Sequence, residues 1–235
     1  MNKLIVLFFL ISIHIFAAAP PVDDKPLPPP PYNINNATKL HITVEWDNDS
    51  IKKYLPKEFQ KLKLSSGGIE LYYSKKRQPF SPASGAYAWV DLTNSNEKVS
   101  RLVFFSVYGK SKLLHKVMTK VYSLDSSIGS SKITVINEKV VARTNIKNKN
   151  IFNIIANVTE NCRAKSGSYS LINYKNKNKE SLSTIKYKSN SVCKANLSST
   201  EFSGPVGSII ISKVLNVELM KDLEISHQAP YILND

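Results

Sequence analysis

The segment from Leu102 to Ser126 constrains the fold more than any other part of the sequence. It begins with an apolar run, Leu102–Tyr108, that predicts a β-strand, and an amphipathic segment follows a Gly-Lys pair. Apolar residues recur in that segment at the spacing of one helix face. The stripe consists of Leu113, Leu114, Val117, Met118, Val121 and Tyr122. Ser111 is suited to cap this helix, and we expect the other elements to wrap around it.

Most other segments have the patterns of short β-strands. Apolar residues alternate with polar ones from Leu40 to Trp46, which predicts a half-buried strand. A short helix capped by Asp49 is predicted through Tyr54, and Ser65–Gly68 predicts a turn. The further predicted strands are Ile69–Tyr73, Ala86–Leu92, Val99–Tyr108, Ile133–Ile136, Lys139–Thr144, Phe152–Val158, Ser168–Tyr174, Leu182–Tyr187, Val206–Ser212 and Val214–Leu219. The fold class predicted is α+β and mainly antiparallel β, with a coiled or closed β-sheet and one central amphipathic helix.

The N-terminus has the features of a secretory signal peptide. Lys3 precedes an apolar core from Leu4 to Phe16, and small residues follow as a cleavage zone. Residues 1–19 are therefore predicted to be removed, which makes the protein secreted or periplasmic with no transmembrane segment in the mature chain. Residues 20–38 form a proline-rich leader, and residues 39–235 form a single β-rich domain.

The two cysteines are predicted to form one disulfide. Cys162 and Cys193 would meet an oxidising compartment after export, and that favours a bond between them over two buried free thiols. Two cysteines and four histidines lack the spacing of metal ligands, so neither a metal site nor another cofactor is predicted.

A formal net charge of +14, or +13 once Lys3 is removed, allows binding to an anionic surface. Solvated loops in a lysine- and asparagine-rich protein explain the same charge. Nucleic acid is disfavoured as a partner, because no aromatic residues interrupt the lysine-rich runs to stack on bases.

The order of these segments resembles the acetoacetate decarboxylase-like family over roughly Leu40 to Ser126. Three groups of short motifs support the resemblance. In chain order they are Trp46-Asp47-Asn48-Asp49 with Tyr54-Leu55-Pro56, then Tyr72-Tyr73, Ser81-Pro82 and Gly85-Ala86-Tyr87, and then Val107-Tyr108-Gly109-Lys110-Ser111. The resemblance implies the family's fold and a keto-acid ligand.

The family's chemistry depends on a lysine that forms a Schiff base with a β-keto acid, and its lysine phrase is not matched in this chain. The expected lysine falls near Ser126, and a glutamate expected in the preceding strand falls near Trp89. Lys116 and Lys120, one helical turn apart, are alternative catalytic candidates, since neighbouring lysines lower each other's pKa. The alternative is that both lysines face solvent on the polar side of the helix and have no catalytic role.

Three functions are compatible with the sequence. The first is a non-catalytic binder of a small, partly apolar ligand, with Tyr72, Tyr87 and Trp89 as the predicted ligand-binding residues. Tyr73 and Phe80 lie on the same elements, and all five are also explained as ordinary core. The second is a secreted interaction protein that binds an anionic surface or a partner. The third is a Schiff-base lyase acting on a keto acid.

Overall fold

The computed structural model describes residues 26–75, 83–93, 99–109, 111–175 and 179–232 of the chain. The strands are β1 (Tyr32–Trp46), β2 (Ser66–Ser74), β3 (Ala83–Thr93), β4 (Val99–Gly109), β5 (Ser127–Ile136), β6 (Lys139–Ile146), β7 (Lys149–Val158), β8 (Arg163–Lys175), β9 (Lys179–Phe202), β10 (Ile211–His227) and β11 (Tyr231–Ile232). The α-helices are α1 (Asn48–Lys52) and α2 (Lys112–Lys120), and a 3₁₀ helix spans Gly204–Val206. None of the helices in these ranges is long and apolar enough to cross a membrane.

The strands form a closed barrel. Neighbours pair in the order β10, β1, β2, β3 and β4, and β8 then joins β4 to β9. Strand β9 pairs with β10 and completes the circuit. Strands β5, β6 and β7 extend from the other side of β4 and return to β9. The predicted closed, mainly antiparallel β-sheet is confirmed, with β4–β5 and β4–β8 as parallel pairs.

Both faces of β1, β2 and β3 are buried over much of their length, because β5, β6 and β7 cover part of the outside of the barrel. Along β1, Leu40, Ile42 and Val44 pack outward into an apolar core that also contains Phe152 of β7. A second core lies inside the barrel, where residues such as Tyr72 contribute aromatic and aliphatic side chains. The polar residues that alternate with Leu40, Ile42 and Val44 therefore face the barrel interior and not solvent.

Helix α2 carries the predicted apolar stripe. Ser111 caps the helix, with its side chain accepting a hydrogen bond from the Leu114 N–H. Leu114, Val117 and Met118 are buried in the inner core. The helix connects β4 to the parallel strand β5, and its stripe packs at the end of the barrel where β4 ends.

The structure differs from the sequence prediction at several boundaries. Strand β1 begins at Tyr32, not near Lys39, so the leader ends before Tyr32. Helix α1 is capped by Asp47, which accepts from the Ser50 N–H, and it does not reach Tyr54.

Two further predictions were wrong because tertiary packing overrides the local signal. The Gly67-Gly68 pair lies inside β2 and not in a turn. A Cβ atom at Gly68 would lie 2.5 Å from the Trp89 ring, so glycine is needed for close packing of the strands. The residues 206–212 do not form one strand, because the 3₁₀ helix ends at Val206 and β10 begins at Ile211.

The predicted disulfide between Cys162 and Cys193 is present and links the start of β8 to β9. The signal peptide, the first part of the leader, Phe80, Ser81-Pro82 and the turn at 94–96 lie outside the described residues.

Candidate functional site

A cluster of charged side chains lies inside the barrel. Strand alternation turns Lys39 and His41 of β1 inward, and the paired strand β2 brings Glu70 opposite His41. Arg101 enters from β4. Lys39 is 2% exposed and Glu70 is 1% exposed, and buried charges of this kind require partners.

Both carboxylate oxygens of Glu70 have polar partners. Its Oε2 lies 3.2 Å from Lys39 Nζ, 3.0 Å from His41 Nδ1 and 3.7 Å from Arg101 Nη1. Its Oε1 accepts hydrogen bonds from the Tyr87 hydroxyl at 2.7 Å and from the Tyr169 hydroxyl at 3.1 Å. Burial alone would raise the pKa of Glu70, but Lys39, His41 and Arg101 outweigh it and hold the pKa well below its usual range. Glu70 is therefore a carboxylate.

Lys39 is a buried amine. Its Nζ lies 5.5 Å from the centroid of the Tyr169 ring and 5.0 Å from that of Tyr187. Burial lowers the pKa of Lys39, Glu70 opposes this effect and Arg101 adds to it, with a net lowering. Burial likewise lowers the pKa of His41 despite its hydrogen bond to Glu70, so the imidazole is neutral at pH 7.

Aromatic rings hold Arg101 in place. Its guanidinium carbon lies 4.3 Å from the Trp89 ring centroid and 3.9 Å from that of Tyr169. Its buried Nη1 makes no hydrogen bond to the residues that the structure describes, only the 3.7 Å ion pair with Glu70. The Arg101 side chain as a whole is 17% exposed, so part of it remains accessible.

A cavity of about 220 Å³ adjoins this cluster. Its wall contains the cations Lys39, Arg101 and Lys165 and the carboxylate of Glu218, together with the rings of Tyr169 and Tyr187. At the cavity, Lys165 Nζ donates to both carboxylate oxygens of Glu218, at 2.8 and 3.0 Å. The volume suits a molecule smaller than a typical drug-sized ligand.

The predicted ligand-binding residues lie behind this wall. Tyr87 donates to Glu70, and Trp89 stacks on His41 with a centroid separation of 5.4 Å and on Arg101. Tyr72 lies deeper in the inner core, where its buried hydroxyl has no hydrogen-bond partner among the described residues. Tyr87 and Trp89 therefore support the side chains that line the cavity.

The catalytic candidates of the sequence lie elsewhere. Lys116 is half-buried on α2 and Lys120 is exposed at the end of that helix, and neither lines the cavity. Ser126, where the family's lysine was expected, has a buried hydroxyl without a hydrogen-bond partner in the described part of the chain. The expected glutamate is not at Trp89, and the buried Glu70 lies on the strand paired with that of Trp89.

Sequence reasoning missed Lys39, Glu70, Arg101 and Glu218 as members of one cluster. Lys39 was assigned to the boundary of the leader. The available signal was that charged residues occupy alternate positions within otherwise apolar strands, such as Glu70 in Ile-Glu-Leu. Only closure of the sheet shows that both faces of such strands are buried.

No protein-family model matches the sequence, and no curated protein matches it. The fold nevertheless matches solved structures. An acetoacetate decarboxylase from Legionella pneumophila has a TM-score of 0.70 and 13% identity, and the match covers 100% of this chain and 99% of that chain. An acetoacetate decarboxylase-like enzyme from Sphingomonas wittichii RW1 has a TM-score of 0.57 and 12% identity, with 84% of this chain and 91% of that chain covered.

The enduracididine biosynthesis enzyme MppR, in complex with pyruvate, is also similar. Its TM-score is 0.57 at 9% identity, and the match covers 91% of this chain and 94% of that chain. The chain therefore has the acetoacetate decarboxylase-like fold, as the resemblance in the sequence predicted. The low identities show the fold alone.

Proposed function

We propose that the chain binds a small carboxylate in the cavity beside Lys39 and Arg101. The observation that carries the proposal is the charge at the cavity: three cations, a neutral histidine and Glu218 line it, and Glu70 contacts Lys39, His41 and Arg101 of the wall. With Lys39 protonated, the resulting net charge is +1, which favours an anion. Arg101, whose side chain is 17% exposed and lines the cavity, offers a charge-assisted hydrogen bond to that anion. The pyruvate complex of MppR supports the same ligand class.

The binding test is titration calorimetry with pyruvate and with acetoacetate. We expect saturable binding by the wild type and a loss of about tenfold or more in affinity for Arg101→Gln, because a charge-assisted hydrogen bond disappears. Arg143→Gln is the matched control, since Arg143 is exposed on β6, far along the sheet from the cavity wall. Absence of binding by the folded wild type would overturn the proposal.

Schiff-base chemistry at Lys39 is the second candidate. The burial of Lys39 favours it, because a lowered pKa makes the neutral, nucleophilic amine accessible. In this step Nζ adds to the ligand's carbonyl carbon, and loss of water leaves an imine. Lys39 is thus the candidate for the reactive lysine in this proposal, whereas the sequence alone suggested Lys116 and Lys120.

Borohydride trapping with acetoacetate, followed by peptide mapping, separates these lysines. The expected result is one reduced adduct on Lys39 that is lost in Lys39→Gln and kept in Lys213→Gln, an exposed lysine of β10. An adduct on Lys116 or Lys120 would instead support the sequence hypothesis. No adduct on any lysine would rule out Schiff-base chemistry.

We also propose that the protein is exported. The hydrophobic N-terminal segment supports this, and so does the Cys162–Cys193 disulfide, a bond that persists in oxidising compartments. N-terminal sequencing of the protein from its natural source should find a mature start within or just after Ala17–Ala19. A protein that retains Met1 would contradict export by this signal.

A further inference from the structure

The ion pair between Lys165 and Glu218 occupies part of the cavity wall. Glu218 lies on β10 directly opposite His41 of β1 and opposite Lys194 of β9. Its side chain is 12% exposed, whereas that of Lys165 is 39% exposed. Two hydrogen bonds commit the ammonium of Lys165 to this carboxylate. These bonds use two of the three N–H donors of the ammonium, and Glu218 neutralises its charge, so Lys165 attracts a second anion only weakly while Glu218 is ionised.

The other two cations of the wall differ in what they offer. Lys39 is paired with Glu70 at 3.2 Å. Arg101 has a longer contact to Glu70, at 3.7 Å, and its side chain is 17% exposed and lines the cavity. Arg101 can therefore anchor one ligand carboxylate. A second carboxylate would need Lys165, and Glu218 already holds it.

We propose that Glu218 is a specificity-determining residue that makes the cavity accept monocarboxylates and reject dicarboxylates. This inference rests on the proposed function, since it concerns the ligand of the same cavity. A monoanion neutralises the net charge of +1, whereas a dianion leaves an excess negative charge beside Glu218. An uncompensated charge in a partly buried site is costly, so the rejection comes from repulsion as well as from the missing partner.

Levulinate and succinate are the probes for this inference. They have the same number of non-hydrogen atoms and differ in a methyl ketone against a second carboxylate. Calorimetry should show that the wild type binds levulinate more tightly. In Glu218→Gln, which frees Lys165 and removes the repulsion, we expect the affinity ratio to shift toward succinate by about tenfold or more. Glu224→Gln, a substitution of an exposed carboxylate on the same strand, should keep the wild-type ratio.

The outcomes separate the inference from the proposed function. Levulinate binding with the same ratio in Glu218→Gln as in the wild type would overturn the inference and leave the proposed function standing. Tighter binding of succinate than of levulinate by the wild type would also overturn it, even if Glu218→Gln fails to fold. Absence of binding of levulinate, succinate, pyruvate and acetoacetate by the wild type would overturn both.

Discussion

Glu70 joins side chains from four other strands at the centre of the barrel. Lys39 and His41 come from β1, Tyr87 from β3, Arg101 from β4 and Tyr169 from β8. A carboxylate with this many donors fixes both the rotamers of its partners and the protonation of the cluster. Its removal would affect stability and the cavity together.

Glu70→Gln tests this role. The amide keeps the shape of the side chain but leaves Lys39 and Arg101 buried without a counter-charge. We expect the free energy of unfolding to fall by about 3 kcal/mol. Urea unfolding at pH 7 measures the change. Glu45→Gln, at a partly exposed position of β1, should cost about 0.5 kcal/mol or less, and equal losses in the two variants would contradict the role of Glu70.

His227 makes the stability depend on pH. Burial lowers the pKa of His227 from 6.5 to about 4. Between these values the unfolded chain binds the proton and the folded chain does not, so stability falls as the pH falls. Over the interval from pH 7 to pH 5, His227 should account for a loss of about 2 kcal/mol.

The measurement is the free energy of unfolding of the wild type and of His227→Gln at pH 7 and pH 5. The variant should lose less stability over this interval. Some loss should remain, because burial also lowers the pKa of His41. The depressed pKa of Glu70 acts mainly below its unfolded value of 4.5 and so outside this interval. An identical loss in both proteins would contradict the role of His227.

At the scale of elements, sequence patterns predicted the features that depend on local interactions, such as helix spacing and capping. The α2 stripe and its Ser111 cap follow from helical spacing and capping chemistry, and the alternation from Leu40 to Trp46 predicted a strand. The burial of both faces of that strand was not predictable, because the cover for its outer face comes from distant strands such as β7. The cavity depends on the same closure, so its residues remained unassigned.

The ends of the long strands were also not predicted from the sequence. Strand β9 runs from Lys179 to Phe202 and pairs with β8 and β10 in its first part and with β7 in its last. Its residues change neighbours along its length, so no single alternation pattern describes it. The predicted strand Leu182–Tyr187 covers only a short part of it.

The disulfide is expected to stabilise the element that carries Lys165. Cys162 precedes β8, Cys193 is buried in β9, and the bond closes a loop with a sequence separation of 31. The combined variant Cys162→Ser and Cys193→Ala should lose about 3–4 kcal/mol of unfolding free energy. Thermal unfolding with and without reductant provides the control. Reductant should destabilise the wild type only, and an unchanged wild-type transition would contradict the prediction.

At the scale of the whole molecule, the barrel separates two kinds of positive charge. Lys39 and Arg101 are buried inside it beside Glu70, and Lys165 pairs with Glu218. The exposed lysines create a field around the molecule that salt screens over about 10 Å at 0.1 M ionic strength. The exposed lysines are the basis of the hypothesis that the protein binds an anionic surface or a partner. This hypothesis needs a test that is separate from ligand binding in the cavity.

We expect the protein to bind a heparin column at low salt and to elute as the ionic strength rises, because its formal net charge is +14. If the charge acts as one diffuse field, any two exposed lysines contribute equally. Lys147 lies in the turn between β6 and β7 and Lys149 begins β7, whereas Lys57 and Lys61 follow α1; all four are exposed. The double variants Lys147→Gln/Lys149→Gln and Lys57→Gln/Lys61→Gln should therefore lower the eluting salt concentration by the same amount.

A larger decrease for the 147/149 pair would instead locate a specific basic patch at that turn. If the wild type is not retained at low salt, binding to this anionic support is excluded.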